Sequence, residues 1–293
     1  MTEKDDWRVE DDFVDEEDFF KEAPGPQTAS GEAEILVGTS GWSYKDWEGT
    51  FYAPSTRPEH YLPAYAATFR TVEIDSTFYS APRESVVRAW DERTPDDFVF
   101  AAKFPRDITH EPGGLDPDSE IVRAFLDRMA LLGDKLGPLL LQFPPGFRPE
   151  RMNALRTFLE GLPGEFRYAV ELRHSGWHDE VLLGLLADLD MAWVTGVGPD
   201  SPPVRPVTTD FCYLRWLGDR SLETFREEVV DRGEELDDWA GWIRERRRGL
   251  RRVFGYVNNH YTGHAPATAR RLLAMLGQEP PPPPAERQGD LFD

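Results

Sequence analysis

Cysteine is nearly absent: Cys212 stands alone among 293 residues, so no disulfide forms within the chain. That usage fits a reducing compartment, and the cytoplasm is the expected location. Lysine is scarce too. Five lysines stand against 28 arginines, a balance that fits either a salt-adapted proteome or GC-rich coding. No run reaches the ~20 apolar residues of a membrane span. The acidic opening has no basic segment leading into an apolar one, so no secretory leader is expected. Walker and G-x-G-x-x-G patterns are missing, as are His-x-His, His-Glu-x-x-His and cysteine clusters. Neither a nucleotide cofactor nor a metal is therefore expected. Positive charge is short overall: the formal net charge is −21. That excludes broad, nonspecific adhesion to nucleic acid or anionic membrane while leaving room for a local basic site.

What the chain has is alternation. Eight short runs rich in β-formers recur: Ile35–Thr39, Thr71–Asp75, Phe98–Lys103, Leu139–Phe143, Tyr168–Arg173, Ala192–Gly196, Cys212–Trp216 and Val253–Asn258. They have strand length. Helical patterns separate most of them, at Glu59–Phe69, Glu84–Arg93, Ser119–Gly133, Pro149–Gly161, His178–Leu189, Leu236–Arg247 and Ala265–Leu276. Strands alternating with helices give βα units and a parallel sheet. Eight units predict the α/β class and a single (β/α)₈ TIM-type barrel, with function at the carboxyl ends of the strands. Pro199, Pro202, Pro203 and Pro206 forbid a regular helix after the sixth strand. The barrel is expected over residues 34–278. Before it, residues 1–33 read as a disordered arm: thirteen of residues 1–34 are Asp or Glu. After it, 279–293 reads as a proline-rich tail, with Pro280–Pro284 as an extended spacer.

The strand ends carry the chemistry. Side chains alternate along a strand, so Thr71, Glu73 and Asp75 share one face, as do Glu171 and Arg173. Lys103 shares the face of Val99 and Ala101. Buried charges must pair, which predicts one network of Glu73, Lys103, Glu171, Arg173 and Arg215 at the barrel mouth. Glu73, Lys103 and Glu171 are the candidate catalytic groups, because carboxylates and a lysine of tunable pKa suit proton transfer. Trp42, Tyr44, Gln142, Arg173, Arg215, Asn258 and His260 are the candidate substrate-binding residues. The cations favour a small anionic substrate, and the aromatics favour a sugar-like one.

These residues also fall in ordered motifs: Gly38-Thr39-Ser40-Gly41-Trp42-Ser43-Tyr44, Val72-Glu73-Ile74-Asp75-Ser76-Thr77-Phe78-Tyr79, Lys103-Phe104-Pro105 with Thr109-His110, Gln142-Phe143-Pro144-Pro145, Val170-Glu171-Leu172-Arg173-His174, Tyr213-Leu214-Arg215 and Asn258-Asn259-His260. Together they resemble the domain-of-unknown-function 72 (YecE-like) family over roughly Glu34 to Leu276. The resemblance implies a TIM-type barrel and brings no reaction with it. The expected function is an enzyme of hydrolase, lyase or isomerase type. The alternative is a non-catalytic ligand-binding or interaction protein. For that alternative, the terminal Gln288-Gly289-Asp290-Leu291-Phe292 is similar to peptides that bind the bacterial sliding clamp. Gln288, Leu291 and Phe292 would make that contact.

Overall fold

A computed structural model describes residues 31–111, 113–177, 179–198 and 204–287. Each expected strand forms: β1 (Glu34–Thr39), β2 (Thr71–Ile74), β3 (Val99–Lys103), β4 (Leu136–Phe143), β5 (Tyr168–Leu172), β6 (Ala192–Val197), β7 (Phe211–Trp216) and β8 (Arg252–Val257). All pairings are parallel, in the order β1-β8-β7-β6-β5-β4-β3-β2. The ring closes where Ser40 bridges Glu73 and the Gly41 N–H donates to the Glu73 carbonyl at 2.8 Å. Gly38 makes the closure feasible, because a Cβ there would sit 2.1 Å from the Thr71 carbonyl oxygen.

Helices fill the crossovers: α1 (Tyr61–Ala66), α2 (Glu84–Glu92), α3 (Arg106–Thr109), α4 (Glu120–Ala130), α5 (Met152–Glu160), α6 (Glu180–Asp188), α7 (Gly233–Arg246), α8 (Asn259–Thr262), α9 (Ala265–Met275) and α10 (Pro284–Arg287). Side-chain caps set four of their starts, those of α4, α6, α8 and α9. Ser119 Oγ accepts the Val122 N–H at 3.3 Å, and Asp179 Oδ1 accepts the Leu182 N–H at 2.7 Å. Between β6 and β7 the described residues form no helix, as the prolines require. Thr208 straps that crossover instead: its hydroxyl donates to the Met191 carbonyl and accepts the Trp193 N–H.

Alternation in the strands splits the apolar residues into two bodies. Leu36, Ala101, Leu140, Val194, Tyr213 and Tyr256 belong to the packed lumen. The opposite faces join the helices in a larger shell around Trp47, Phe104, Leu155, Trp177, Trp216 and Leu272. The lumen is thus solid, which leaves its mouth open to ligands.

Two expectations need correction. β4 begins three residues before its apolar run, at Leu136. Its register against β3 shifts between Phe100 and Ala102, a bulge that absorbs Pro138, which has no N–H to give a ladder. The tail is not a free spacer up to residue 287. Pro283 is buried, α10 follows, and the Ala285 N–H donates to the Phe51 carbonyl at 3.0 Å. Residues 1–30 of the acidic arm lie outside the described residues, as do His178, Pro199, Pro202, Pro203, Gln288, Leu291 and Phe292. At the edge of the arm, Ala33 donates its N–H to the Arg247 carbonyl, and Glu32 pairs with Arg247 at 2.8 Å.

Candidate functional site

The last inward position of several strands is polar, and these residues meet at the carboxyl end. Arg215, closing β7, is the hub. Its Nε and Nη2 donate to the two oxygens of Glu73 from β2 at 2.8 and 2.7 Å. Its Nη1 donates to Glu171 Oε2 from β5 at 2.5 Å. Arg173 Nε holds the other Glu171 oxygen at 2.6 Å, and the Tyr213 hydroxyl donates to Glu73 Oε2 at 2.8 Å. Two carboxylates face two guanidiniums, so the network carries no net charge. Such pairing is what permits four ionic groups inside a barrel, since each alone costs several kcal/mol to bury. Burial alone would raise the Glu171 carboxyl. Arg215, Arg173 and Lys103 outweigh it and hold the group at about 2.

Above this floor opens a cleft of about 700 Å³. Lys103, Gln142, Arg173, Arg215, Asn258, His260 and Tyr44 line it. Glu73 and Glu171 do not. They lie beneath, with Glu73 0% exposed, and hold the cleft residues Arg215 and, for Glu171, Arg173. Trp42 turns away as well: its ring meets Trp90 edge-on at 5.7 Å, and its carbonyl accepts the Tyr52 hydroxyl. Seven of the ten candidate residues therefore share one cleft, two sit under its floor, and one packs elsewhere.

Lys103 differs from Arg173 and Arg215, which are paired to the floor carboxylates. It is 9% exposed and forms no ion pair among the described residues. Its Nζ donates to Gln142 Oε1 at 2.7 Å, and Gln142 is fixed in turn by donating Nε2 to the Phe143 carbonyl at 2.8 Å. The Phe78 ring covers Nζ at 3.7 Å, a contact that favours the ammonium. Burial, then the Arg215 charge, works against it. These overcome the pull of Glu171 and Glu73 and bring the amine down to about 7. The opposite perturbation falls on Asp75. Burial, then the neighbouring Glu73, raises its carboxyl above the ordinary range, with Arg215 and Lys103 pulling back.

Aromatic groups form two walls. Phe78 stands edge-on to His110 at 4.9 Å and to Tyr79 at 5.5 Å, and Tyr79 is 81% exposed. Across the mouth, Phe225 meets Tyr44 at 6.2 Å and His260 at 5.0 Å. The Tyr44 hydroxyl donates to the Ser40 carbonyl at 3.0 Å. Asn258 Oδ1 accepts the His260 N–H at 3.1 Å, which aims α8 at the cleft. Burial, then Lys103, lowers His110 to about 4, so this ring is neutral at pH 7. Among the described residues, no three His, Cys, Asp or Glu side chains gather as a metal site would need.

Asp75, Phe78, Arg106, His110 and Arg220 line the cleft without having been chosen from the sequence. For Asp75 a signal was available: it stands two residues beyond Glu73 on the same face. Arg106 opens the short α3 and His110 follows its end, and no spacing discloses the orientation of that turn.

Residues 36–289 match the family model described as "Protein of unknown function DUF72". The chain belongs to the DUF72 family. The UPF0759 protein YecE of Escherichia coli strain K12 is 39% identical over 140 residues, which are 48% of this chain and 48% of that one. The chain thus spans about half the length of that curated relative. The UPF0759 protein YunF of Bacillus subtilis strain 168 is 27% identical over 288 residues, covering 88% of this chain and 100% of that protein. The crystal structure of a DUF72 family protein from Thermotoga maritima superposes with a TM-score of 0.72 at 29% identity, covering 83% of this chain and 99% of that one. The family expected from the strand-end motifs is the family found, and its barrel is shared.

Proposed function

We propose that this DUF72 protein is an enzyme of the lyase, isomerase or hydrolase type, acting on a small anionic or sugar-like substrate in the cleft. The observation that carries this reading is Lys103, an amine at a strand end, facing a 700 Å³ cleft with a neutral amide as its hydrogen-bond partner. An amine near pKa 7 exists in both protonation states at neutral pH, as proton transfer or nucleophilic attack requires. A structural lysine would be met by a carboxylate, as Lys135 is by Asp91 at 3.0 Å.

Arg173 supplies the anion contact. One of its nitrogens holds Glu171, and the others have no partner among the described residues. Arg215 has all three nitrogens committed to carboxylates, so it shapes the field more than it grips a ligand. Glu73 and Glu171 are then positioning residues. The aromatic walls suit the faces of a ring or sugar.

The test is a thermal-shift screen of phosphorylated and carboxylated metabolites, with conversion followed by mass spectrometry. A ligand at 100 times its Kd stabilises by about 2.7 kcal/mol, a rise of several degrees for a chain this long. Arg173→Met should abolish the shift. Lys103→Met should keep the shift and lose conversion. A library without a hit, or full conversion by Lys103→Met, would overturn the reading.

A further inference from the structure

Among the described residues, the three lysines have three different fates. Lys45 is exposed. Lys135 is buried, but its Nζ is saturated by the Asp91 carboxylate, the Asp91 carbonyl at 2.5 Å and the Thr94 carbonyl at 3.0 Å. Lys103 has one acceptor, a ring over one side, and the cleft on the other. Gln142 cannot take its proton. A general base would be served equally well by a carboxylate or imidazole. What a buried amine beside a guanidinium adds is nucleophilicity toward a carbonyl.

We propose that Lys103 forms a covalent imine with an aldehyde or ketone that carries a phosphate or carboxylate, Arg173 holding the anion and Asp75 exchanging the protons. This rests on the reading of the cleft as an active site with Lys103 as its reactive group. The Nζ lone pair attacks the carbonyl carbon, a C–N bond forms, and the C=O π pair passes to oxygen. That oxygen takes one proton and the nitrogen releases one, giving a carbinolamine. The nitrogen lone pair then expels the oxygen, which takes a second proton and leaves as water. One water is released per protonated imine, and no oxidant or reductant enters. The imine is an electron sink for breaking a bond to the adjacent carbon, as lyase and isomerase chemistry requires.

Asp75 suits the proton steps. It lines the same cleft, just past the end of β2, and it lies within electrostatic reach of Lys103. Glu171 is held ionised by its two arginines, and Glu73 is sealed under Arg215. The charged and titratable groups facing Lys103 are Arg215, Glu171, Glu73 and Arg173, with Asp75 and His110 beyond them. His110 stays neutral and contributes no competing charge.

The experiment uses the full chain with glyoxylate and with glycolaldehyde phosphate, each under cyanoborohydride. Both probes are far smaller than the cleft, so neither is excluded by fit. Trapping adds the probe's mass less one oxygen. Peptide mapping then compares Lys103 with Lys45 and Lys135 in the same molecule. Expected is at least ten-fold faster labelling at Lys103 than at Lys45 at pH 7, loss of that label in Lys103→Met, and slower labelling in Asp75→Asn. Labelling at Lys45 with none at Lys103 would overturn the imine. Competitive acetylation against pH separates the two levels of the argument. If Lys103 reacts with a midpoint near 7 yet traps neither probe, the imine fails and the reactive-lysine site stands. If its midpoint lies in the ordinary lysine range, both fail.

Discussion

Removing Arg215 would leave two carboxylates without their main partner in the least accessible part of the barrel. Consider Arg215→Met, which keeps most of the side-chain volume. Glu73 loses two charge-assisted hydrogen bonds and keeps one, from Tyr213. Glu171 loses one and keeps Arg173. Breaking a buried ion pair on one side costs about 3–5 kcal/mol. At about 2–4 °C per kcal/mol for a domain of this size, the melting temperature should fall by roughly 6–20 °C at pH 7. The loss must depend on pH. With the arginine gone, Glu171 loses a charge that holds it ionised and takes up its proton at higher pH, so the gap from wild type should narrow toward pH 4. The wild type moves in the opposite sense. Glu171 is depressed from 4.5 to about 2, so its stabilisation is complete above the unfolded carboxylate range and is lost as pH falls from about 5 toward 2. Adding Glu73→Gln and Glu171→Gln to Arg215→Met should recover most of the loss. Calorimetry from pH 2 to 8 reads all of this. A mutant within about 1 kcal/mol of wild type, or a triple variant no better than the single one, would refute the claim that Arg215 neutralises the floor.

Other outcomes follow from the same geometry. Lys103→Met should raise stability most below pH 7. The folded amine titrates near 7 and the unfolded one near 10.5, so the wild type carries its full penalty at low pH and sheds it between those values; melting curves from pH 6 to 10 should show the difference shrinking. Gly38→Ala should destabilise by about 1–3 kcal/mol or more in a denaturant titration, because its Cβ meets the Thr71 carbonyl at the barrel seam. Asp179→Ala should cost about 1 kcal/mol in the same titration by freeing the Leu182 N–H at the start of α6.

The fold was legible because each strand is short, apolar and bounded by turn residues, and because the barrel repeats one unit. What escaped was local. Pro138 argues against strand, and only the bulge against β3 explains how β4 runs through it. The proline tail reads as a spacer until α10 is seen against Phe51, a contact between residues more than 200 positions apart. In the site, period two brought Lys103, Arg173 and Arg215 to the mouth correctly. It could not tell which carboxylates reach the cleft and which are captured below it, because that is settled by the guanidiniums of Arg215 and Arg173. Trp42 shows the reverse limit: it follows a strand end, as Tyr44 does, yet Trp90 offers its ring a better partner away from the cleft.

The Arg215 hub joins strands that are not neighbours, β2 and β5, to β7. If the barrel is divided at its midpoint, the first half holds Glu73 and the second holds both Glu171 and Arg215. A half-barrel made of β1–β4 would therefore carry a carboxylate with no guanidinium to meet it, whereas β5–β8 keeps a pair of its own. The two halves are unequal as autonomous units. The acid in the leading half acts as a lock whose key arrives only with the seventh strand, so the mouth is not complete until β7 is in place.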